Sequence, residues 1–188
     1  MPRRTDLNCR AGLPPAPNEA EGNPAQQAEP APNSGRKHLR RLDRITVQGG
    51  PLYYLTCCVD ERKPVLACDL VAGVLVEAWT AAPDVYGWAV GRYSVMPDHI
   101  HFFATPWRED PRSLSDFIKN WKGWARHRIR ERQGPIFRWQ PEFFDHVLRS
   151  CESYGQKWDY VRMNPVRAGL VANPDDWRYQ GELVEIAW

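Results

Sequence analysis

Two histidines separated by a single residue, His99-Ile100-His101, have clear potential for chemistry. On a β-strand, residues i and i+2 point to the same face, so both imidazoles project together and Ile100 faces the core. Two neighbouring imidazoles make half of a metal site. The same pattern is explained equally well by two surface histidines that bind nothing.

A tyrosine followed four residues later by Asn-Pro is the second such feature. In a helix, Tyr160 and Asn164 share one face. Because Pro165 forces the helix to end, the Asn164 amide is able to face a site instead of the next turn. Taken alone, a core tyrosine before a helix-terminating Asn-Pro is the commoner explanation.

Basic residues are concentrated in one predicted helix, although the net charge is only +2. Between Arg112 and Arg132 there are seven Lys or Arg and two acids, and a second basic cluster spans 36–44. A phosphate-binding surface and a solvated helix face explain such clusters about equally well. The candidate phosphate contacts are Lys119, Lys122, Arg126 and Arg130 on one stripe, and Arg149 further along.

Periodicity predicts the elements that position these side chains. The order β-α-β-β-α-β-α is that of an α+β, ferredoxin-like split βαβ sandwich, with an antiparallel sheet, helices on one face and an added C-terminal helix that carries Tyr160. The expected strands are 52–59, 86–95, 99–104 and 143–148. The expected helices are 69–82, ended by Pro83-Asp84, then 113–132 with Ser113 as its cap, and 152–163, ended by Asn164-Pro165.

Composition divides the chain into three parts. Residues 1–35 are rich in Pro, Ala, Asn, Glu and Gln and are predicted to be disordered, because they have too few large apolar side chains to bury. The domain is predicted at 36–181, with a C-terminal tail at 182–188. Five cysteines without a CxxC pair or a signal peptide indicate reduced thiols in the cytoplasm, and no membrane span is expected.

Taken together, several segments form a pattern that is more specific than any one motif. The pattern resembles the single-tyrosine HUH transposases, in particular the REP-associated tyrosine transposases and their insertion-sequence relatives. It covers roughly 40–181, and the part from Trp139 to Val171 is the more specific. The matching segments are Val95–His101, Trp139–His146 with Arg149, Asp159-Tyr160, Asn164–Val171 and Asp176-Trp177.

The resemblance implies a role for each matching residue. His99 and His101 would ligate Mg²⁺ or Mn²⁺, Asn164 would add an oxygen ligand, and Tyr160 would be the nucleophile. Because imidazole is not a preferred ligand of Mg²⁺, this metal assignment depends on the resemblance alone. The implied activity is cleavage and rejoining of single-stranded DNA beside a hairpin through a 5′-phosphotyrosine. One tyrosine handles one strand end, so transposition needs a homodimer or two successive rounds.

Three alternatives remain open at this stage. The nucleophile could be Tyr154, which points in a different direction from Tyr160 on the helix, or Tyr179, which has no histidine or amide near it in sequence. The enzyme could be a replication initiator or relaxase, although the chain is too short for the helicase or primase domains that these usually carry. The protein could also be a domesticated hairpin-binding protein that no longer cuts.

Overall fold

The computed structural model describes residues 44–46 and 50–187, so the predicted disordered segment lies outside the described residues. No helix within these ranges is long and apolar enough to cross a membrane. The helices are α1 (Asp69–Tyr86), α2 (Leu114–Glu131), α3 (Cys151–Arg162) and α4 (Asn164–Arg167). The strands are β1 (Arg44–Thr46), β2 (Leu52–Cys58), β3 (Trp88–Val95), β4 (His99–Pro106), β5 (Phe144–Leu148), β6 (Gln180–Glu182) and β7 (Glu185–Ala187).

Five strands form an antiparallel sheet in the order β5-β2-β4-β3-β6. The strands β5, β2, β4 and β3 belong to a split βαβ unit. The α1 crossover leaves room for β4 between β2 and β3, and α2 leads from β4 to β5. The predicted ferredoxin-like α+β class is therefore confirmed. The short strands β1 and β7 pair in parallel as a separate two-stranded sheet.

One face of the sheet packs against α1 and α2 in an aromatic core. Phe102 on β4 stacks against Trp79 of α1 at 5.2 Å and meets Trp121 of α2 edge-on at 5.8 Å between ring centroids. All three rings are at most 1% exposed. At least two of the nine tryptophans therefore fill the core, where large apolar rings contribute most to burial.

The opposite face of the sheet is covered by α3. Phe103 of β4 packs edge-on against Tyr154 at 4.8 Å and lies 6.4 Å from the Trp158 ring, with Val161 fully buried in the same cluster. Since Phe102 and Phe103 are consecutive on a strand, they point to opposite faces. Side chains at 99, 101 and 103 thus share the face on which α3 lies.

Several helix and strand ends differ from the prediction. Pro83 does not stop α1, which continues to Tyr86 and ends at Gly87 in the left-handed conformation, with φ at 76°. Asn164-Pro165 does end α3, but it also begins α4, since a proline in the first turn has no helical N–H bond to lose. Residues expected to form a C-terminal tail include β7, and β6 before it extends the main sheet beside β3.

Gly91 marks the closest approach between β3 and the C-terminal strand pair. The register of β3 against β4 shifts between Val90 and Tyr93, and the Gly91 carbonyl accepts a hydrogen bond from the Leu183 N–H at 3.1 Å. A Cβ atom at position 91 would lie 2.7 Å from Cδ1 of Ile186 and 3.2 Å from the Val184 carbonyl oxygen. A side chain at this position therefore displaces the Ile186 side chain and crowds the Val184 carbonyl oxygen.

We expect Gly91→Val to lower the free energy of unfolding by about 1–3 kcal/mol, because it overpacks this contact. The control is Gly73→Ala in α1, where nothing lies within 4 Å of an added Cβ. It should retain or raise stability, by up to about 1 kcal/mol. Urea unfolding followed by circular dichroism measures both, and equal stabilities of Gly91→Val and wild type would contradict the close approach.

Candidate active site

The two imidazoles of β4 converge on one point. His99 Nε2 and His101 Nε2 lie 3.1 Å apart, and the ring planes are 81° from each other. His101 is buried, with 8% of its surface exposed, whereas His99 is partly open to solvent. The structure therefore brings the two predicted ligand nitrogens together at the surface of the α3 face.

The other nitrogen of each ring is held by a hydrogen-bond partner. His99 Nδ1 lies 2.6 Å from Oδ1 of Asp98. His101 Nδ1 lies 2.8 Å from both the Tyr54 hydroxyl and Thr56 Oγ1. A carboxylate at Nδ1 keeps the proton there and leaves the Nε2 lone pair available, which is the usual arrangement around metal-binding histidines.

Arg62 fixes the carboxylate that holds His99. Its Nε donates to Asp98 Oδ2 at 2.6 Å, and its Nη1 donates to Cys58 Sγ at 3.0 Å. Glu61 and Arg62 both have positive φ, 55° and 54°, which costs free energy in residues other than glycine. The strained turn after β2 thus aims the guanidinium at Asp98. Burial would raise the pKa of Asp98, but its contacts with His99 and then with Arg62 hold that pKa below its usual value.

Burial keeps both imidazoles neutral. It lowers the pKa of His101 to about 3 together with the neighbouring His99, Arg62 and Lys157, although Asp98 opposes the shift. Burial also lowers the pKa of His99, although the neighbouring Asp98 opposes that shift. Neutral imidazoles are the form that binds metal, so the pair is in the ligating state at neutral pH.

The spacing of the two Nε2 atoms suits adjacent corners of a cation's coordination shell. Two nitrogens bound at about 2.1 Å at adjacent octahedral corners lie about 3 Å apart, close to the 3.1 Å between His99 and His101. The described residues contain no group of three or more His, Cys, Asp or Glu that could hold a metal.

Tyr160 of α3 lies on the same side of the sheet as the imidazoles. Its side chain is 54% exposed, and its ring faces the Arg167 guanidinium at 4.3 Å and the Lys157 ammonium at 5.9 Å. Lys157 also lies 5.0 Å from the ring of Tyr54, whose hydroxyl is hydrogen-bonded to His101. The predicted nucleophile is thus linked to the imidazole pair through two intervening side chains.

Asn164 is placed beside Tyr160 by a shared arginine. Arg167 Nη1 donates to the Tyr160 carbonyl oxygen at 3.0 Å and to Asn164 Oδ1 at 3.3 Å. An amide oxygen has two lone pairs, so one remains for another partner. Within the described part of the chain, no hydrogen bond joins Asn164 to either imidazole, and the structure brings this predicted ligand to the tyrosine only.

The two competing tyrosines have other surroundings. Tyr154 is 6% exposed beneath Arg92, and burial raises its pKa to about 12. Tyr179 packs against Trp177 at 5.3 Å and lies next to Arg178. Of the three tyrosines considered, Tyr160 alone is classed as exposed.

The predicted basic stripe on α2 is only partly a surface feature. Lys119, Arg126 and Arg130 are exposed, as is Arg149 after β5. Lys122 instead is 6% exposed and donates from Nζ to two backbone carbonyls, those of Gln140 at 3.1 Å and Glu142 at 3.2 Å. Lys122 thus holds the segment before β5, and its contact with a phosphate stays a prediction.

Sequence reasoning missed the residues that orient the site. Lys157 and Arg167 could have been found, since each is three residues from Tyr160 or Asn164 and thus one helical turn away. Tyr54 and Arg62 gave no such signal because they reach the histidines across 47 and 37 residues of sequence.

Comparison with known proteins identifies similar chains. The family model described as "Transposase IS200 like" matches residues 51–162. The REP-associated tyrosine transposase of Escherichia coli (strain K12) is 29% identical over 139 residues, which cover 72% of this chain and 78% of the relative. A solved structure of a REP-associated tyrosine transposase bound to a REP hairpin has a TM-score of 0.56 at 21% identity, over 75% of this chain and 81% of that one.

The stability of the metal-free protein should depend on pH through His101. Its folded pKa of about 3 lies below the ordinary 6.5, so between these values the unfolded chain binds more protons than the folded one. The free energy of unfolding therefore falls as pH decreases from 6.5 toward 3, and His101→Gln should make this decrease smaller.

Urea titrations in EDTA at a series of pH values measure the effect. His127→Gln is the control for the loss of a histidine outside the site, since the His127 side chain is 73% exposed. Identical pH dependence in His101→Gln and wild type would contradict a neutral, buried His101.

Proposed function

Because the chain belongs to the IS200-like transposase family, we propose that it cleaves and rejoins single-stranded DNA next to a hairpin, with Tyr160 as the nucleophile and a divalent cation at His99 and His101. The observation that carries this proposal is the pair of converging Nε2 atoms on the same sheet face as an exposed tyrosine. The hairpin follows from the relative of similar fold, which is bound to a REP hairpin.

In the proposed reaction, the Tyr160 oxygen attacks the phosphorus of one phosphodiester. The tyrosine O–P bond forms, the bond from phosphorus to the 3′ oxygen breaks, the phenolic proton passes to solvent, and the 3′ oxygen takes up a proton. Rejoining is the reverse attack by a 3′-hydroxyl, and it needs no ATP because the phosphotyrosyl ester replaces the phosphodiester.

Two cations flank the proposed nucleophile and would act on the phosphate. The Arg167 guanidinium and the Lys157 ammonium lie 4.3 Å and 5.9 Å from the Tyr160 ring. Fixed positive groups beside a phosphoryl centre offset the negative charge that develops in the transition state. Arg167 also contacts the Tyr160 carbonyl, so it orients the helix end as well as the ring.

A Mg²⁺ or Mn²⁺ ion would be held by His99 and His101, and in our proposal by the carboxamide of Asn164. Such an ion supplies Lewis-acid polarisation of the scissile phosphate. Asp98, Thr56 and the Tyr54 hydroxyl keep the two rings in the ligating orientation through Nδ1. A neutral imidazole offers a nitrogen lone pair to a cation without first losing the extra proton of the imidazolium form.

The remaining DNA is proposed to follow the exposed cations Lys119, Arg126, Arg130 and Arg149. Contacts of this kind read phosphates and are largely independent of sequence, so affinity should fall steeply with salt. Because one tyrosine holds one strand end, a complete transposition requires a second protomer or a second round of cleavage.

We expect Tyr160→Phe to abolish covalent attachment to a labelled single-stranded hairpin oligonucleotide in Mn²⁺, while hairpin affinity stays close to wild type. The phenol oxygen is the group that would bond to phosphorus, whereas the ring and its two cations remain. Denaturing gels detect the adduct and tandem mass spectrometry locates it. Tyr179→Phe is the control and should form the adduct normally.

An adduct that persists in Tyr160→Phe would show that the nucleophile lies elsewhere. A wild-type protein that binds the hairpin but never forms an adduct would instead favour a binding protein that has lost cleavage.

Mn²⁺ should raise the thermal unfolding midpoint in a concentration-dependent manner, because it binds the folded state. His99→Ala and His101→Ala should remove this increase, and Asn164→Ala tests the third ligand. Asp98→Asn should weaken the apparent Mn²⁺ affinity about 10–100-fold, as expected for a partner that orients a ligand. His127→Ala is the control, and an equal Mn²⁺ response in all variants would rule out this site.

A further inference from the structure

A cavity of about 640 Å³ opens between α2 and the segment 139–143, which leads into β5. This volume is typical of sites for small organic ligands. Its apolar wall includes Ile118, Trp139 and Phe143, and the cavity is separate from the imidazole pair, which faces α3. The segment belongs to the Trp139–His146 motif, which the proposed chemistry leaves without a role.

The charge of the cavity favours an anion. Its lining includes the cations Lys119, Lys122 and Arg126, against a single acid, Glu142. Lys122 is 6% exposed and bonded to two carbonyls, and none of the ion pairs in the described residues involves it. The nearby Cys57 thiol is neutral, since burial raises its pKa to about 12. Lys119 and Arg126 are exposed beside this cavity, so a phosphate there would meet several positive charges.

We propose that this cavity takes one unpaired nucleotide of the DNA single strand, with the base against Trp139 and Phe143 and its phosphate at Lys119 and Arg126. The inference rests on the proposed function, because the nucleotide in the cavity would belong to the same DNA single strand that Tyr160 attacks. Aromatic side chains next to a cationic groove are the common means of holding single strands. A nucleotide combines a flat aromatic base with a phosphate, and the cavity lining combines aromatic rings with cationic side chains.

The cavity wall is bonded to the strand that borders the imidazole pair. The Gln140 N–H donates to the Cys58 carbonyl oxygen at 2.9 Å, and Cys58 is the register partner of His99. Beyond it, the edge strand β5 carries Phe144, which is 58% exposed and 6.3 Å from the Tyr54 ring on the active-site face. Phe143 and Phe144 thus give the sheet edge an aromatic ring on each face, along which a single strand can pass from the cavity to Tyr160.

Photocrosslinking tests this inference. The probe is a hairpin oligodeoxynucleotide with single-stranded thymidylate flanks, in which 5-iodouracil replaces one flank thymine at a time. We expect one flank position to crosslink to Trp139 or Phe143, as located by mass spectrometry. Gly123 lines the cavity, and nothing lies within 4 Å of an added Cβ there, so Gly123→Trp should fill the space without disturbing the core.

Gly123→Trp should therefore lose this crosslink, whereas the matched control Gly123→Ala should keep it, with thermal unfolding confirming that both variants are folded. Crosslinks confined to the active-site face, or unchanged in Gly123→Trp, would overturn the proposal. The proposal would also be overturned if free 5-iodo-deoxyuridine monophosphate crosslinks in the cavity and the oligonucleotide does not.

The Tyr160 adduct is measured in the same samples and separates the two proposals. An adduct without a cavity crosslink overturns only the cavity inference. A cavity crosslink without an adduct leaves the nucleotide site supported and overturns the cleavage chemistry.

Discussion

The register between β2 and β4 determines what surrounds the imidazole pair. Thr56 lies opposite His101 and Cys58 opposite His99, so each ring meets a polar neighbour on the same face. A slip of one residue would turn both imidazoles into the aromatic core beside Trp79 and Trp121 and bring Phe102 to the outer face. The packing of Phe102 against these tryptophans therefore opposes such a slip and helps to keep both imidazoles on the outer face.

A second consequence of this register is the asymmetry between the two histidines. His101 is buried and contacts uncharged hydroxyls, while His99 is more open and contacts a carboxylate that Arg62 holds. A carboxylate raises the basicity of a ligand ring, whereas hydroxyls mainly set its orientation. The two imidazoles thus have different surroundings although they are two residues apart on one strand.

Local patterns in the sequence predicted the element order and the strand that carries the histidines. Alternation and helical periodicity act within one element, so they gave the sandwich and the common face of His99 and His101. The ends of the elements were harder to predict from the sequence. Pro83 is buried in the last turns of α1 and does not end the helix. The strands β6 and β7 have only three residues each, so pairing with other strands, and not a local pattern, defines them. Local patterns also could not predict that the Lys122 side chain is buried, because the two backbone carbonyls that its ammonium contacts are 18 and 20 residues away.

Apart from the Asp98 carboxylate next to His99, the side chains that hold the two imidazoles come from distant parts of the chain. The hydroxyls that hold His101 are 47 and 45 residues away, and Arg62 reaches Asp98 across 36. Non-local contacts form late in folding, because the chain must first lose the entropy of closing long loops. A nascent or partly unfolded chain therefore lacks the complete constellation, so any DNA-cutting ability would be confined to molecules that have finished folding.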